Sequence, residues 1–307
     1  MPEKPLVSII TPSYNQAQYL QKTITSVLEQ DYPEIEYIVI DGGSTDDSQK
    51  IIRSFQKRLT WWVSEKDQGQ ADAINKGLKR AKGQVIAWLN SDDYYMPGAI
   101  TKAVASLQSN SKVSMVYGDV LAVDAQDNPL NLLRYRQYDL ADLMCFNIIG
   151  QPSVIFRKKY IELTGYLDVS YQYLLDHHLW LRLAKHAPIL YLPSTLSAAR
   201  FHSQSKNIAQ ADKFGQEAFR IIDWLQADPE FKNIFLENKK RIWAGAHRFN
   251  ARYLLDGGQP KAALNAYWQS LCAHPATALR EWYRILFALI SMLGLGKIKQ
   301  LHPRWRK

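Results

Sequence analysis

Cysteine is scarce: Cys145 and Cys272 are the two in 307 residues, and they stand far apart. Two separated thiols cannot by themselves build a metal cluster, and they suit a reducing compartment. A membrane-spanning run is lacking too. The apolar stretch Ile285-Leu286-Phe287-Ala288-Leu289-Ile290-Ser291-Met292-Leu293-Gly294-Leu295 falls short of the ~20 residues that cross a bilayer. No signal-peptide pattern opens the chain, since Met1-Pro2-Glu3-Lys4-Pro5 leads directly into a strand-like run. No helix-turn-helix, zinc-finger or RNP-like pattern is visible, so nucleic acid is not expected as a partner. Acid is nearly missing from the C-terminal end. From Ala278 to Lys307, seven Lys/Arg face one acid, Glu281, which places +6 of the formal +9 there. What the chain does have is 47% hydrophobic and 12% aromatic residues, enough for a sizeable core.

Four acidic clusters stand where strand-like runs end: Asp41, Asp67, the pair Asp92-Asp93, and Asp176. In an open α/β sheet the carboxyl ends of the strands line one crevice, and ligands bind there. Carboxylates gathered in a crevice repel one another unless a cation, ribose hydroxyls or a moving proton partners them. The pattern points to a metal-bound sugar nucleotide.

Hydrophobic periodicity organises the rest. Leu6 to Ile10, Ile35 to Ile40, Leu59 to Ser64 and Val85 to Leu89 read as strands. Helices are expected after Asn15, which is placed to cap the first, then from Ser44, over 71–81 and from Pro97 to about Ser109. Val113 to Val123 reads as a strand with Pro129 to Tyr135 beside it, and 174–185 as a helix. Such alternation with short connections predicts a mostly parallel, Rossmann-like sheet flanked by helices. Ile189 to Leu192 reads as a short strand, followed by a polar segment, Ala199 to Lys206. Helical texture dominates from about Asn207. A domain over 1–206 and a helical extension over 207–307 are therefore expected. Within the extension, Asn238–Leu255 and Pro260–Cys272 resemble one tetratricopeptide unit. A lone unit cannot bury its own face, which leaves the catalytic domain or a protein partner to cover it.

Five segments in order, Val7–Asn15, Ile38–Ser48, Glu65–Gly77, Val85–Pro97 and Asp176–Arg182, together resemble family-two glycosyltransferases of the GT-A fold. The likeness spans roughly residues 5 to 206. It implies a metal-dependent, inverting, hexosyl-type transferase using a nucleotide-diphospho-sugar, with UDP the expected nucleotide and Mn²⁺ or Mg²⁺ the metal. Asp41 is expected to accept hydrogen bonds from the base or ribose, with a turn-forming role as the alternative. Thr11 and Tyr14 are placed on the adjacent loop to hold the base. By resemblance Asp67 reaches the nucleotide and Gln70 supports its loop. Asn90-Ser91-Asp92 occupies the family's Asp-Xaa-Asp position with Asn first, so Asn90 is left to bind ribose and metal binding rests on Asp92. One or two protein carboxylates suffice for a hard divalent ion that bridges phosphates. Asp93 is read as orienting Asp92 or the acceptor.

Asp176 precedes Leu179-Trp180-Leu181-Arg182, as the family's catalytic base does, although Leu175 stands where an acid often does. Its alternative role is helix capping. His177 and His178, on adjacent helical positions, do not chelate together and are expected at the surface or the acceptor pocket. Arg200-Phe201-His202 resembles a segment that lies over the diphosphate. It implies His202 as a metal ligand and Arg200 and Lys206 as phosphate partners. The acceptor is expected to be a saccharide or a lipid-linked saccharide in polysaccharide or glycolipid synthesis. A cytoplasmic location is expected, with two readings for the basic tail: a core or solvated end, or peripheral attachment to an anionic membrane on the inner face. Two rival readings stand beside the enzyme. One is a scaffold with a degenerate transferase domain. The other is a sugar nucleotidyltransferase, disfavoured because Thr11-Pro12-Ser13-Tyr14-Asn15 carries no Gly-rich, Arg-containing loop.

Overall fold

The computed structural model describes residues 4–202 and 210–292. They divide into two compact units, one built from 1–139 and 149–200, the other from 140–148 and 201–307.

The first unit grows outward from β1 (Val7–Ser13), whose seven residues are all buried. A strand buried on both faces must be apolar throughout, and Val7, Ile9 and Ile10 supply that character. Around it lie α1 (Ala17–Leu28), β2 (Ile35–Asp41), α2 (Ser48–Phe55), β3 (Trp61–Ser64), α3 (Gln70–Arg80), β4 (Val85–Trp88), β5 (Tyr94–Tyr95), α4 (Ala99–Ser109), β6 (Met115–Val123) and β7 (Pro129–Leu133). α5 (Leu140–Met144) belongs to the second unit. The chain then returns through β8 (Ile155–Arg157), α6 (Lys158–Thr164), α7 (Leu175–His186) and β9 (Ile189–Arg200).

The strand order is β3-β2-β1-β4-β8-β6-β9-β5, with β7 paired to β6. β3, β2, β1 and β4 are parallel, so their carboxyl ends share one edge. β8 runs antiparallel to both β4 and β6, and β9 runs parallel to β6. α1 buries Tyr19, Leu20, Thr23, Ile24 and Val27, a helical stripe, in the core that also holds Val7, Ile9, Val39 and Val85.

The expected alternation is present, with three differences. β5 and β8, short strands in segments of weak pattern, pair with β9 and with β4 and β6. Asn15 does not cap α1. It sits in the left-handed region at φ 51, and its Oδ1 accepts from the backbone of Thr45 at 2.8 Å, lacing the loops after β1 and β2. Finally, β9 is three times its expected length, running to Arg200. Pro193 and Ser194 bulge out where Gly118 pairs with Leu192 and Asp119 with Thr195. A Cβ at Gly118 would lie 2.4 Å from the Ser194 carbonyl oxygen, so the bulge needs glycine opposite it. The bulge breaks the period-2 pattern that a sequence reading relies on.

The second unit is helical. The long helix Pro229–Asp256 packs against both Ala211–Ala227 and Pro260–Ala273. It begins well before the expected Asn238, with Pro229 at its first turn and Asp228 capping the backbone NH of Glu230 at 2.9 Å. The segment 140–148 joins this unit through Arg241, which pairs with Asp142, and Arg248, which donates to the Phe146 carbonyl at 3.1 Å. The last described helix, Trp282–Met292, packs Phe287 and Ala288 against Leu255 and Ala263.

Candidate functional site

The parallel edge gathers the acidic loops that follow β2, β3 and β4. Ser13, Asp41 and Ser64 are register partners at the ends of β1, β2 and β3. Asp41 is fully buried. Its carboxylate accepts from the Ser44 backbone at 2.9 Å, Ser44 Oγ at 2.5 Å and Ser64 Oγ at 2.6 Å. Of its two expected roles the structure shows the turn-forming one, a buried carboxylate held by three hydrogen bonds.

Asp67 comes next along the edge. Its Oδ1 accepts from the Gly69 backbone at 2.8 Å, and a Cβ on Gly42 would fall 2.4 Å from its Oδ2. Gly42 thus admits the Asp67 carboxylate to the turn after β2, and Asp67 remains partly exposed there. Gln70, the first residue of α3, donates through Nε2 to Asn90 Oδ1 at 2.8 Å. That bond ties the Asp67 loop to the loop after β4.

In the β4 loop, Asn90 Nδ2 also lies 3.5 Å from Asp93 Oδ2. The amide at 90 accepts from Gln70 and faces a carboxylate, which a third aspartate there would repel. Asp93 is buried, and its pKa is pushed well above the ordinary carboxylate value by burial first and by the Asp92 charge second. Its Oδ1 accepts from the Arg200 backbone NH at 3.0 Å. Thr23 Oγ1 donates to the Asp93 carbonyl at 2.7 Å and the Ser91 carbonyl at 2.9 Å. Asp92 is partly exposed beside them.

Arg200 corrects the expectation placed on it. Its side chain is 2% exposed and points into the protein, not over a diphosphate. Nε donates to the Asp92 carbonyl at 2.9 Å, and Nη1 pairs with Asp127 at 2.5 Å. The guanidinium lies 4.5 Å from the Tyr19 ring and 5.7 Å from the Tyr94 ring. Lys22 completes the cluster, 2.8 Å from Asp127 and 3.9 Å above Tyr94. Burial alone would raise the Asp127 pKa, but hydrogen bonds from Lys22 and Arg200 outweigh it and hold the carboxyl below its usual range. Arg200, Asp127, Lys22, Tyr19 and Tyr94 together brace the Asp92 loop. Their separation in sequence hides this function. The left-handed backbone of Asp127, φ 70, in an Asp-Asn-Pro turn is the one local sign.

Thr11 is also corrected. β1 extends past it, it is fully buried, and its hydroxyl lies 3.0 Å from Tyr37 OH, inside the sheet and not on the loop. Tyr14, by contrast, is 60% exposed just beyond the end of β1.

Asp176 lies in the first turn of α7, where the helix dipole favours a carboxylate. Leu174 holds the N-cap position, so Asp176 is not the cap. Its Oδ1 accepts from the His177 backbone at 2.8 Å. One turn later Trp180 stacks on Trp88, the last residue of β4, with ring centroids 5.0 Å apart and planes 20° apart. Phe156 of β8 packs against both rings. Asn75 of α3 exchanges two hydrogen bonds with the Leu167 backbone, at 2.8 and 3.0 Å, ahead of α7. α7 is thus fastened to the strand that precedes the Asp92 loop, and the segment ahead of it to the helix that follows the Asp67 loop. His177 and His178 are buried, which removes the surface role expected for them; His178 packs on the Tyr171 ring at 4.5 Å.

His202 is a buried residue of the second unit, and Lys206 lies outside the described residues. Among the described residues no three His, Cys, Asp or Glu side chains converge as a metal cage. Asp92 and Asp93 remain: a partly exposed carboxylate beside a buried one whose ionisation it opposes. These donors fit a hard divalent ion that takes its other ligands from water and phosphate.

Carboxylates and amides gather at the parallel edge, and the helix carrying Asp176 is packed on the strand that precedes the Asp92 loop. The sequence model of Glycosyl transferase family 2 matches residues 8–163, just over half of the chain, and the chain belongs to that family. An uncharacterized glycosyltransferase of Rickettsia typhi is 31% identical over 220 residues, which cover 67% of each protein. A longer Rickettsia conorii relative is also 31% identical, and the match spans 36% of its length. A Bacillus subtilis glycosyltransferase named for teichuronic acid biosynthesis, TuaG, is 34% identical over 59% of this chain and 73% of its own. Two solved structures share the GT-A fold. The Pyrobaculum calidifontis mannosyltransferase PcManGT with GDP-Man and Mn²⁺ gives a TM-score of 0.64 at 21% identity, covering 98% of this chain and 88% of that one. S. aureus TarS with UDP-GlcNAc gives 0.59 at 17%, covering 91% of each. Among the described residues no helix is long and apolar enough to cross a membrane.

Proposed function

We propose that this chain transfers a sugar from a nucleotide-diphospho-sugar, a UDP-sugar first among the candidates, to a hydroxyl of a saccharide or lipid-linked saccharide, inverting the anomeric carbon. The carrying observation is the fastening of three elements to one edge. Gln70 joins the Asp67 loop to Asn90, Arg200 closes the Asp92-Asp93 loop, and the Trp88–Trp180 stack ties the helix that carries Asp176 to β4.

Asp67 and Tyr14, both accessible at the edge, hold the nucleoside, while Asp41 shapes the turn under them. Asn90, engaged by Gln70, sets the loop and offers its amide to the donor ribose. Asp92 holds a divalent ion, Mn²⁺ or Mg²⁺, which when bound supplies positive charge to the diphosphate leaving group. Asp176 takes the proton of the acceptor hydroxyl, which attacks the anomeric carbon from the face opposite the nucleotide. Burial and the Asp92 charge both raise the Asp93 pKa, so the two carboxylates oppose each other's ionisation.

The complexes of PcManGT with GDP-Man and Mn²⁺ and of TarS with UDP-GlcNAc support the donor class and the metal. The likeness to TuaG supports a wall or surface polysaccharide as the product. We place the reaction in the cytoplasm. The bridging role of Asn90 weakens the case for a degenerate scaffold, because neutral Asn fits its two partners there. The test is release of nucleoside diphosphate from a panel of UDP-, GDP- and dTDP-sugars, with Mn²⁺ and with EDTA. Metal-dependent release from one donor is expected, and no release from any donor with any divalent metal refutes the reading.

A further inference from the structure

The helix Trp282–Met292 carries two unlike faces. Arg284, Phe287 and Ala288 are buried, and Arg284 Nη1 pairs with Asp256 at 3.0 and 3.2 Å. On the outer side Trp282 is 57% exposed, Leu286 42%, Leu289 49% and Met292 52%. Spacings of four, three and three residues place them on one stripe. Leu279, 53% exposed just ahead of the helix, adds to the apolar end. No charged side chain interrupts the stripe, since Arg284 is the helix's one charge and faces inward. A contiguous apolar face of this kind marks an interaction surface.

We propose that this face docks on an anionic lipid bilayer, with the helix lying in the plane of the headgroups. Charge selects the occupant. The residues that follow, 293–307, contain Lys297, Lys299, Arg304, Arg306 and Lys307 and no acid. Basic residues next to an apolar helix face, with tryptophan at the interface, are the chemistry of peripheral attachment to anionic lipid. A second copy of this chain is the poorer occupant, because each copy brings a formal +9. Eleven residues make a helix of ~16 Å, about half of a bilayer's apolar thickness, so the helix lies on the membrane and does not cross it. The proposal is independent of the donor chemistry. It adds that the acceptor is met at a membrane surface.

The test is flotation of the full chain with vesicles of phosphatidylcholine alone and with vesicles that include phosphatidylglycerol. Binding to the second and not the first is expected, with loss at high salt, where the Debye length shrinks from ~10 Å to ~3 Å. The double variant Leu286→Glu, Leu289→Glu should bind the anionic vesicles at least tenfold more weakly. Its melting temperature should be unchanged, because both side chains are exposed. Lys297→Glu with Lys299→Glu should weaken binding and leave folding intact. Leu236→Glu, at another exposed leucine (57%), should bind like the parent. Failure of the full chain to float on anionic vesicles overturns the proposal, as does undiminished flotation of the double leucine variant. Concentration-dependent dimerisation abolished by that variant, without vesicle binding, replaces the bilayer with a second copy of the chain.

Discussion

Replacing Arg200 separates a brace from a phosphate ligand. In Arg200→Ala the Asp92 carbonyl loses a charged donor at 2.9 Å and Asp127 loses one of its two cations. A hydrogen bond involving a charged group contributes about 1.5–3 kcal/mol, and the ring contacts with Tyr19 and Tyr94 about 0.5–1 kcal/mol more. The Asp127 side chain is 34% exposed, so its share is discounted for solvent screening. The sum is about 2–4 kcal/mol. For a unit of this size that lowers Tm by roughly 5–12 °C. Arg200→Lys keeps a charge near Asp127 but loses the planar fork, and roughly half of that loss is expected. The assay is thermal denaturation of the full chain without nucleotide, set beside nucleotide binding by calorimetry. Both variants should melt early before any donor is added. An unchanged Tm in Arg200→Ala, together with lost nucleotide binding, would refute the bracing role and restore the phosphate contact.

Asp176→Asn should lower transfer by about 10²–10⁴-fold, the usual range for a positioned base, and leave nucleoside diphosphate affinity within a factor of two; near-parental turnover would remove Asp176 from the chemistry. Gly42→Ala puts a Cβ where the Asp67 carboxylate sits, so donor affinity should fall at least tenfold with little change in acceptor KM. Asp93 gives a signed pH dependence. Its folded pKa lies above its ordinary value of 3.8, so the folded state binds the extra proton between those two values, and its contribution to stability declines as pH rises through that window. Asp93→Asn should remove that decline and match or exceed the parent's Tm at pH 7 in metal-free buffer; a steeper decline in the variant would contradict the assignment. Trp180→Ala, which opens the stack on Trp88, should cost about 3–5 kcal/mol as seen by denaturant unfolding.

The parallel half of the sheet was readable because its strands are short apolar runs closed by turn residues, and the helices between them keep a clean 3.6 period. The acidic loops were readable for the same reason: they stand where those runs stop. Roles within the loops were harder to read. Asp41 and Asp67 look alike in sequence, yet one is sealed by Ser44 and Ser64 and the other stays accessible beside Gly42. Thr11 and Arg200 were misplaced because each strand runs further than its pattern. β1 is polar at its end, and β9 is interrupted by a bulge at Pro193 and Ser194. The hydrogen bonds from Arg200 to Asp92 and Asp127 join residues 108 and 73 positions apart, and local pattern holds no trace of such pairs.

Arg200 closes the Asp92-Asp93 loop from 107 positions further along the chain. During synthesis the loop must wait for β9 to emerge before it can be locked, so the candidate site matures late and the half-made sheet has an unfinished edge. It follows that a fragment ending at residue 163, where the family match stops, lacks both this latch and α7. The shortest fragment able to complete the loop has to reach at least residue 200.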